Sequence, residues 1–287
     1  MSTFHKSVMN SEVVDALKVL PGATYIDATL GGGGHTKELM LRGAVVLGID
    51  RDKEALIEAK SHLKKIKSGS LKIVKGNFSD IDSIAGECGF IKVDGILFDL
   101  GVSSFQIDST KRGFSYKKAA SKIDLRFDQQ NGEMAIDLIK QLSKEDLYEI
   151  LAKYSEEKHF RSISNAIFRA CKLKKLNSMG DLVEIIKNIV KVNWKKTASR
   201  VLQAFRIITN DELNCIKIGL EKSNQILKNG GVCVVISYHS LEDRIVKQEF
   251  LKSNWINLTK KPIRPTIQEV KANPRARSAK MRYAQKN

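Results

Sequence analysis

The sequence predicts an α/β protein in which βα units build one sheet and an all-helical segment interrupts them. Short apolar runs bounded by turn residues alternate with amphipathic segments near both ends of the chain, a pattern typical of βαβ units. Between residues 111 and 196 only helical periodicity is found. We therefore expect one domain formed by residues 1–110 and 197–287, and a helical substrate-recognition domain inserted at residues 111–196.

The individual elements follow from the same periodicities. Helices are predicted at residues 10–20, 52–66, 135–142, 146–154, 163–173, 182–190, 199–227 and 245–251. Strands are predicted at residues 25–27, 44–49, 71–74, 93–99, 232–236 and 255–259. A turn is expected at residues 229–231, and residues 278–284 are expected to return as an antiparallel edge strand.

A glycine-rich loop follows the first predicted strand. The strand ends at Asp27, four glycines stand at residues 31–34, and an amphipathic segment begins immediately after them. Glycines allow a backbone to approach a ligand closely, because no Cβ stands in the way. The next strand leads to Asp50, about 20 residues further on, where an acid in a βαβ unit contacts a ribose. This spacing indicates a Rossmann-like sheet that binds a nucleoside-bearing cofactor.

The identity of that cofactor depends on the residues around the loop. A dinucleotide-binding loop needs a third glycine for close packing of helix on strand, but Thr36 occupies that position. Asp27 would repel a pyrophosphate, whereas it would attract the cationic amino group of S-adenosylmethionine. We therefore predict S-adenosylmethionine. An NAD(P)-dependent oxidoreductase remains the alternative, and a cofactor-binding titration separates the two.

Candidate catalytic residues follow two further strands. The strand at residues 93–99 ends at Asp99, and ligands of open α/β sheets bind beyond the carboxyl ends of the strands. Asp99 is therefore expected where cofactor and substrate meet. After the strand at residues 232–236, Tyr238 or His239 could stack on a substrate ring. The alternative for His239 is that it orders the loop through backbone hydrogen bonds.

The charge of the chain favours a polyanionic partner. The 287 residues carry a formal net charge of +17, with a pI of about 9.6. The C-terminal tail concentrates this charge against one acid, Glu269, through Lys260, Lys261, Arg264, Lys271, Arg275, Arg277, Lys280, Arg282 and Lys286. Lysines used only for solubility are the alternative, but clustering of this kind is typical of nucleic-acid binding. The predicted helices at residues 146–173 carry a second basic group.

Cysteine usage and hydropathy indicate a cytoplasmic protein. The four cysteines are far apart and form no C-x-x-C pair or Cys/His cluster, so neither a metal site nor a disulfide framework is expected. Apolar runs are too short for a membrane span. Residues 1–6 lack the apolar core of a signal peptide.

Several sequence blocks, taken in order, resemble one known family. They are residues 27–31, 33–35, 50–52, 77–79, 99–104, 112–115, 203–207, 210–213, 237–244 and 273–280. Together they are similar to the bacterial ribosomal RNA small subunit methyltransferase H enzymes, the MraW family. This resemblance implies a class I S-adenosylmethionine-dependent methyltransferase fold with an inserted helical domain. It also implies methylation of N4 of a decoding-site cytidine in 16S rRNA.

The resemblance assigns roles to particular residues. It implies cofactor contacts by Gly33, Gly34, His35, Asp50, Phe78, Asp99 and Gln106. Asp99 is the candidate catalytic residue, although it could serve the cofactor alone. His239 is a candidate for contact with the base, and the expected phosphate contacts are Arg112, Arg244, Arg275 and Arg277. The partner is 16S rRNA within the small ribosomal subunit, bound by a monomer or a homodimer. A non-catalytic RNA-binding module, or methylation of DNA or a small molecule, remains as an alternative.

Overall fold

The computed structural model describes residues 7–287, apart from the side chain of Ser104. The signal-peptide prediction concerns residues 1–6, which lie outside the described residues. Two compact units divide the chain. The sheet unit comprises the described residues up to Gly101 together with Leu213–Asn287, and the helical unit comprises Val102–Glu212.

Within the described residues, seven strands form one sheet. They are β1 Thr24–Asp27, β2 Val45–Asp50, β3 Ser70–Lys75, β4 Val93–Asp99, β5 Leu227–Ser237, β6 Trp255–Asn257 and β7 Lys280–Lys286. Their order is β3-β2-β1-β4-β5-β7-β6, with the first five parallel and β7 antiparallel to both of its neighbours. The predicted Rossmann-like α/β fold is confirmed.

Helices occur in both units. They are α1 Asn10–Leu17, α2 Gly34–Leu41, α3 Lys53–Leu63, α4 Ile81–Glu87, α5 Ser104–Asp108, α6 Ala135–Gln141, α7 Lys144–Tyr154, α8 Phe160–Lys172, α9 Met179–Ile189, α10 Trp194–Asn210, α11 Glu212–Ile226, α12 Ser240–Glu249 and α13 Ile267–Ala272. Short 3₁₀ turns occupy Phe78–Asp80 and Pro274–Ser278.

Three predicted elements differ from the structure. The helix predicted at residues 199–227 is two helices, because Asp211 adopts a left-handed conformation (φ 50°) that ends α10. Residues 280–286 do form an antiparallel strand, but β6 pairs with its free side and is itself the edge. The turn predicted at residues 229–231 lies inside β5, where the register with β4 shifts between Val93 and Gly95.

The sheet separates two apolar cores. Neighbouring residues on one strand point to opposite faces, so Tyr25 packs in one core and Ile26 in the other. Leu97 and Ile96 of β4 divide in the same way. Burial on both faces explains why the central strands are almost continuously apolar in sequence.

The helical unit has a core of its own. Capping boxes at Ser143 and Ser178 begin α7 and α9. Helix α10 belongs to this unit, because Val201, Leu202 and Phe205 are buried in its core. The compact units therefore change after Gly101 and after Glu212, whereas the sequence placed the domain boundaries at 110/111 and 196/197. The assignment of methyl transfer and substrate recognition to two domains stays a prediction.

Gly33 is a position where the fold requires glycine. Its φ is 80°, and an added Cβ would lie 2.7 Å from Cδ1 of Leu63 on α3. We expect Gly33→Ala to lower the free energy of unfolding by about 2–4 kcal/mol, since backbone strain and overpacking add. Urea unfolding measures the loss. Gly89→Ala is the matched control, because Gly89 has a φ of 85° and nothing within 4 Å of an added Cβ. Equal losses in the two variants would contradict the packing argument.

Candidate active site

Three acids stand at the carboxyl ends of neighbouring strands in the sheet unit. Asp27 ends β1, Asp50 ends β2 and Asp99 ends β4, and β1 pairs with both of the other strands. The pKa of Asp50 is raised to about 6, mainly by burial and with smaller contributions from the negative charges of Asp52 and Asp27. Burial also raises the pKa of Asp99, again with a contribution from Asp27. The three carboxyl groups are thus close enough to interact.

Asp27 holds the glycine-rich loop to the start of α2. Its Oδ2 accepts a hydrogen bond of 2.7 Å from the hydroxyl of Thr36, and its Oδ1 accepts one of 3.3 Å from the backbone of Thr29. The Asp27 side chain is buried, and that burial raises its pKa. Thr36, which the sequence showed only as a missing glycine, is therefore the partner of a buried acid.

Asp50 is held by the loop and by the start of α3. Its Oδ2 accepts from the backbone N–H of Gly31 at 2.8 Å, and its Oδ1 accepts from that of Asp52 at 2.9 Å. Each carboxylate oxygen has two lone pairs, so each retains capacity for a further donor such as a ribose hydroxyl. This geometry fits the role predicted for Asp50.

Asp99 lies between two polar side chains. The hydroxyl of Tyr238 donates to its Oδ1 at 2.7 Å, and Nδ1 of His35 lies 3.6 Å from its Oδ2. Nε2 of His35 is 2.9 Å from the carbonyl of Val8, and it must carry a proton there because a carbonyl only accepts. The backbone N–H of Asp99 donates to Thr29 at 2.6 Å. The carboxylate is therefore fixed in orientation.

Asp99 is also accessible, which sets it apart from Asp27. Its side chain is 23% exposed, whereas Asp27 is 1% exposed. Burial and the charge of Asp99 raise the pKa of Tyr238 well above its ordinary value, so the hydroxyl stays protonated and donates. Of the two acids, Asp99 is the one that a bound molecule can reach.

The contact between Tyr238 and Asp99 was missed from the sequence. The sequence offered Tyr238 or His239 for stacking on a substrate base, and it did not indicate that the hydroxyl of Tyr238 contacts Asp99. Gly101 makes this packing possible: its φ is 129°, and an added Cβ would lie 3.0 Å from the Tyr238 ring. Asp99 and Tyr238 are far apart in sequence. In the β4–β5 register, however, Asp99 pairs with Ile236, and Tyr238 follows two residues later. Knowledge that β4 and β5 are neighbours would have revealed the contact.

The other predicted cofactor residues lie in different surroundings. Phe78 is half-buried, with its ring centroid 5.5 Å from that of Phe98 and its side chain against Gly219 of α11. Gln106 belongs to the helical unit, is buried, and accepts the N–H of Ser103 in a capping box at α5. Their predicted cofactor contacts stay predictions.

His239 and Arg112 are both used inside the fold. His239 caps α12, where its Nδ1 accepts the N–H of Glu242 at 3.3 Å, as the second interpretation of this residue expected. Arg112 is 1% exposed and donates to the carbonyls of Arg126 and Phe127, at 3.0 Å each. This burial argues against the phosphate contact predicted for Arg112.

The basic tail is only partly available to a partner. Arg244 and Arg277 are exposed, and Arg275 is half-buried. Arg282 is buried and, with Lys280, forms ion pairs with Asp243. Burial raises the pKa of Asp243, but the hydrogen bond from Arg282 and the charges of Arg282 and Lys280 lower it, and the net change is a decrease. Arg282 and Lys280 therefore neutralise an acid of the protein itself.

The arrangement fits a positively charged nucleoside cofactor. Buried carboxyl groups with raised pKa values favour a nearby cation, and a pyrophosphate would add further repulsion. Asp50 retains acceptor capacity that a ribose hydroxyl could use, and Asp99 is accessible at the end of β4. The fold and these residues define a class I S-adenosylmethionine-dependent methyltransferase.

Comparison with known proteins identifies the family. A family model described as the MraW methylase family matches residues 2–287. The ribosomal RNA small subunit methyltransferase H of Dictyoglomus thermophilum is 40% identical over 292 residues, covering 100% of this chain and 98% of the relative. The protein of that name from Deinococcus deserti is 42% identical over 288 residues, covering 99% and 94%. This chain belongs to the MraW methylase family.

In the part of the chain that the structure describes, no helix combines the length and apolar character needed to span a bilayer.

The raised pKa of Asp50 predicts a particular pH dependence of stability. The pKa of Asp50 rises on folding, from 3.8 to about 6, so the folded protein binds this proton more tightly than the unfolded chain does. The free energy of unfolding therefore falls as pH rises through that window. Between pH 4 and 7 we expect the wild-type free energy of unfolding to fall by about 2–3 kcal/mol relative to Asp50→Asn. Urea unfolding at several pH values measures the difference.

Asp94→Asn is the control for that experiment. Burial raises the pKa of Asp94, but hydrogen bonds from Lys228 and Thr24 lower it, and the net result lies below its ordinary value of 3.8. Its contribution is therefore lost only below this pH window, and the difference between wild type and Asp94→Asn should stay constant from pH 4 to 7. A constant difference for Asp50→Asn as well would contradict the assignment.

Proposed function

We propose that this protein methylates N4 of a decoding-site cytidine in 16S rRNA, with S-adenosylmethionine as methyl donor. The observation that carries the proposal is the accessible Asp99 carboxylate, held between Tyr238 and His35 at a strand end. Membership of the MraW methylase family and relatives named as ribosomal RNA small subunit methyltransferases support the RNA substrate. The high positive charge is consistent with it.

The cofactor would be held by residues of the glycine-rich loop and the strand ends. Gly33, Gly34 and His35 are assigned to its methionine end, Asp50 to its ribose and Phe78 to its adenine. Asp99 and Gln106 are assigned to the side that faces the substrate. When bound, S-adenosylmethionine supplies a methyl group already activated by the sulfonium. The remaining task of the protein is to place a nucleophile in line, about 3 Å from that methyl.

Asp99 has the properties needed to activate the nucleophile. The lone pair of a cytosine N4 is delocalised into the ring, so N4 must become pyramidal before it attacks. A carboxylate that accepts an N4–H hydrogen bond favours that change and stabilises the positive charge that develops on N4. The raised pKa of Asp99 also makes the carboxylate a better acceptor for the N4 proton.

Tyr238 and His35 act as positioning residues for Asp99. Because Tyr238 donates to Oδ1, that oxygen is fixed and the carboxylate cannot rotate freely. His35 is anchored by Val8 and faces Oδ2. The target base must leave its stack, or be presented single-stranded, to bring its N4 to this carboxylate at a strand end.

The assay uses purified protein, radiolabelled S-adenosylmethionine, and small-subunit particles from a strain that lacks the enzyme. We expect the label on N4 of one decoding-site cytidine. With Asp99→Asn we expect turnover at saturating cofactor to fall by about 10²–10⁴-fold, because the proton acceptor is lost. Label on another nucleotide or on another atom of the base would contradict the proposal.

Cofactor affinity and two tyrosine variants complete the design. Near-normal turnover of Asp99→Asn, with weakened cofactor binding, would reassign Asp99 to the cofactor alone. Tyr238→Phe keeps the ring but removes a hydrogen bond to a charged group, worth about 1.5–3 kcal/mol, so turnover should fall by a smaller factor. Tyr283→Phe, half-buried on β7, is the matched control and should leave turnover unchanged.

A further inference from the structure

A second basic surface lies on the helical unit, where α9 ends and α10 begins. We call it the Trp194 patch, and it comprises Tyr116, Lys187, Lys191, Trp194, Lys195 and Lys196. All four lysines are exposed, whereas Trp194 and Tyr116 are half-buried. None of the four lysines has an ion-pair partner among the residues that the structure describes. No acid occurs between residues 185 and 210 of the sequence.

The aromatic rings hold two of these lysines in place. Nζ of Lys187 lies 4.4 Å from the centroid of the Trp194 ring, and Nζ of Lys195 lies 5.8 Å from it. The Tyr116 ring meets the same indole edge to face, with centroids 5.9 Å apart. Free lysine side chains lose considerable rotamer entropy when they are ordered. Cation–π contacts reduce that loss, because the ammonium groups are already positioned before a ligand arrives.

The charge on the patch is uncompensated, unlike that of the neighbouring arginines. Further along α10, Arg200 pairs with Glu157 at 3.2 Å, and Arg206 pairs with Glu212 at 2.7 Å. A surface that serves solubility intersperses charges of both signs. Here, the ammonium groups of Lys187 and Lys195 lie over one indole ring and repel each other over a distance no greater than about a Debye length. An anionic ligand with several charges would relieve that repulsion.

We propose that the Trp194 patch binds the sugar-phosphate backbone of the rRNA substrate. The inference rests on the proposed function and adds to it one surface that binds the RNA. Repeated phosphates match an array of fixed ammonium groups, and the contact is independent of sequence. An acidic membrane is the less suitable ligand. Binding to a membrane surface requires a broad apolar face, whereas the large apolar side chain exposed next to the Trp194 patch is Val192.

The test measures how salt affects RNA binding by the full-length protein. The probe is 16S rRNA transcribed in vitro, and affinity is measured over a series of salt concentrations. For Lys187→Gln combined with Lys195→Gln, we expect the plot of log affinity against log salt to be shallower by about 1.4, since each lost single-strand phosphate contact removes about 0.7. The KM for RNA should rise, while kcat and cofactor affinity stay at wild-type values.

Two further variants make the result specific. Lys64→Gln combined with Lys65→Gln removes the same charge from exposed lysines just after α3, in the sheet unit, and should leave the slope unchanged. Trp194→Leu keeps every charge, so the slope should persist while affinity falls by about 2- to 5-fold. Thermal melting checks whether Trp194→Leu is folded. If that variant is unfolded, the Lys187/Lys195 double variant still tests the patch.

The outcomes separate this proposal from the proposed function. A wild-type slope in the Lys187/Lys195 double variant, or an equal loss in the Lys64/Lys65 control, overturns the patch while rRNA methylation by the wild type stands. Failure of the wild type to methylate rRNA overturns the proposed function as well. Vesicles of phosphatidylglycerol and phosphatidylcholine are the third arm. Binding to them that requires Lys187 and Lys195 and displaces RNA would assign the patch to a membrane instead.

Discussion

The burial of three carboxyl groups at adjacent strand ends is the constraint on which the sheet unit depends. Burial disfavours the charged form of each acid, and the acids repel one another. The fold offsets this cost with specific donors: Thr36 for Asp27, the backbone of Gly31 for Asp50, and Tyr238 for Asp99. The same donors bring together the glycine-rich loop, the start of α2 and the end of β5. The buried acids are therefore the common origin of two properties of the site: its electrostatic cost, and the arrangement of donors that sets its geometry.

This origin explains why a cationic cofactor suits the site. A bound sulfonium would lower the free energy of the ionised acids, and the protein would gain stability from its ligand. It also separates the roles of the acids. Asp27 is enclosed and organises the loop, Asp50 retains lone pairs for a ribose, and Asp99 is exposed enough to contact a reacting group. If the proposed function holds, the acids that organise the loop would also bind the cofactor and take part in the chemistry.

Much of the sheet could be predicted from the sequence, because strand ends and acids follow local patterns. The β1 loop, Asp50 and Asp99 were identified from spacing, and the five parallel strands lie where apolar runs were found. Contacts between distant residues could not be predicted in this way. The partnership of Thr36 with Asp27, that of Tyr238 with Asp99, and the burial of Arg112 depend on which elements become neighbours. Charge alone also misled, since Arg282 and Lys280 of the basic tail pair with Asp243.

The central claim is that ionised acids select a cationic cofactor, and relative affinity for two ligands that differ by one charge tests it most directly. S-adenosylmethionine carries a sulfonium, whereas S-adenosylhomocysteine carries a neutral thioether and the same nucleoside and amino acid groups. Titration calorimetry from pH 5 to 8 measures both affinities. As Asp50 ionises near pH 6, the ratio of affinities should shift toward S-adenosylmethionine by roughly tenfold or more. A ratio that does not change over this range would contradict the account.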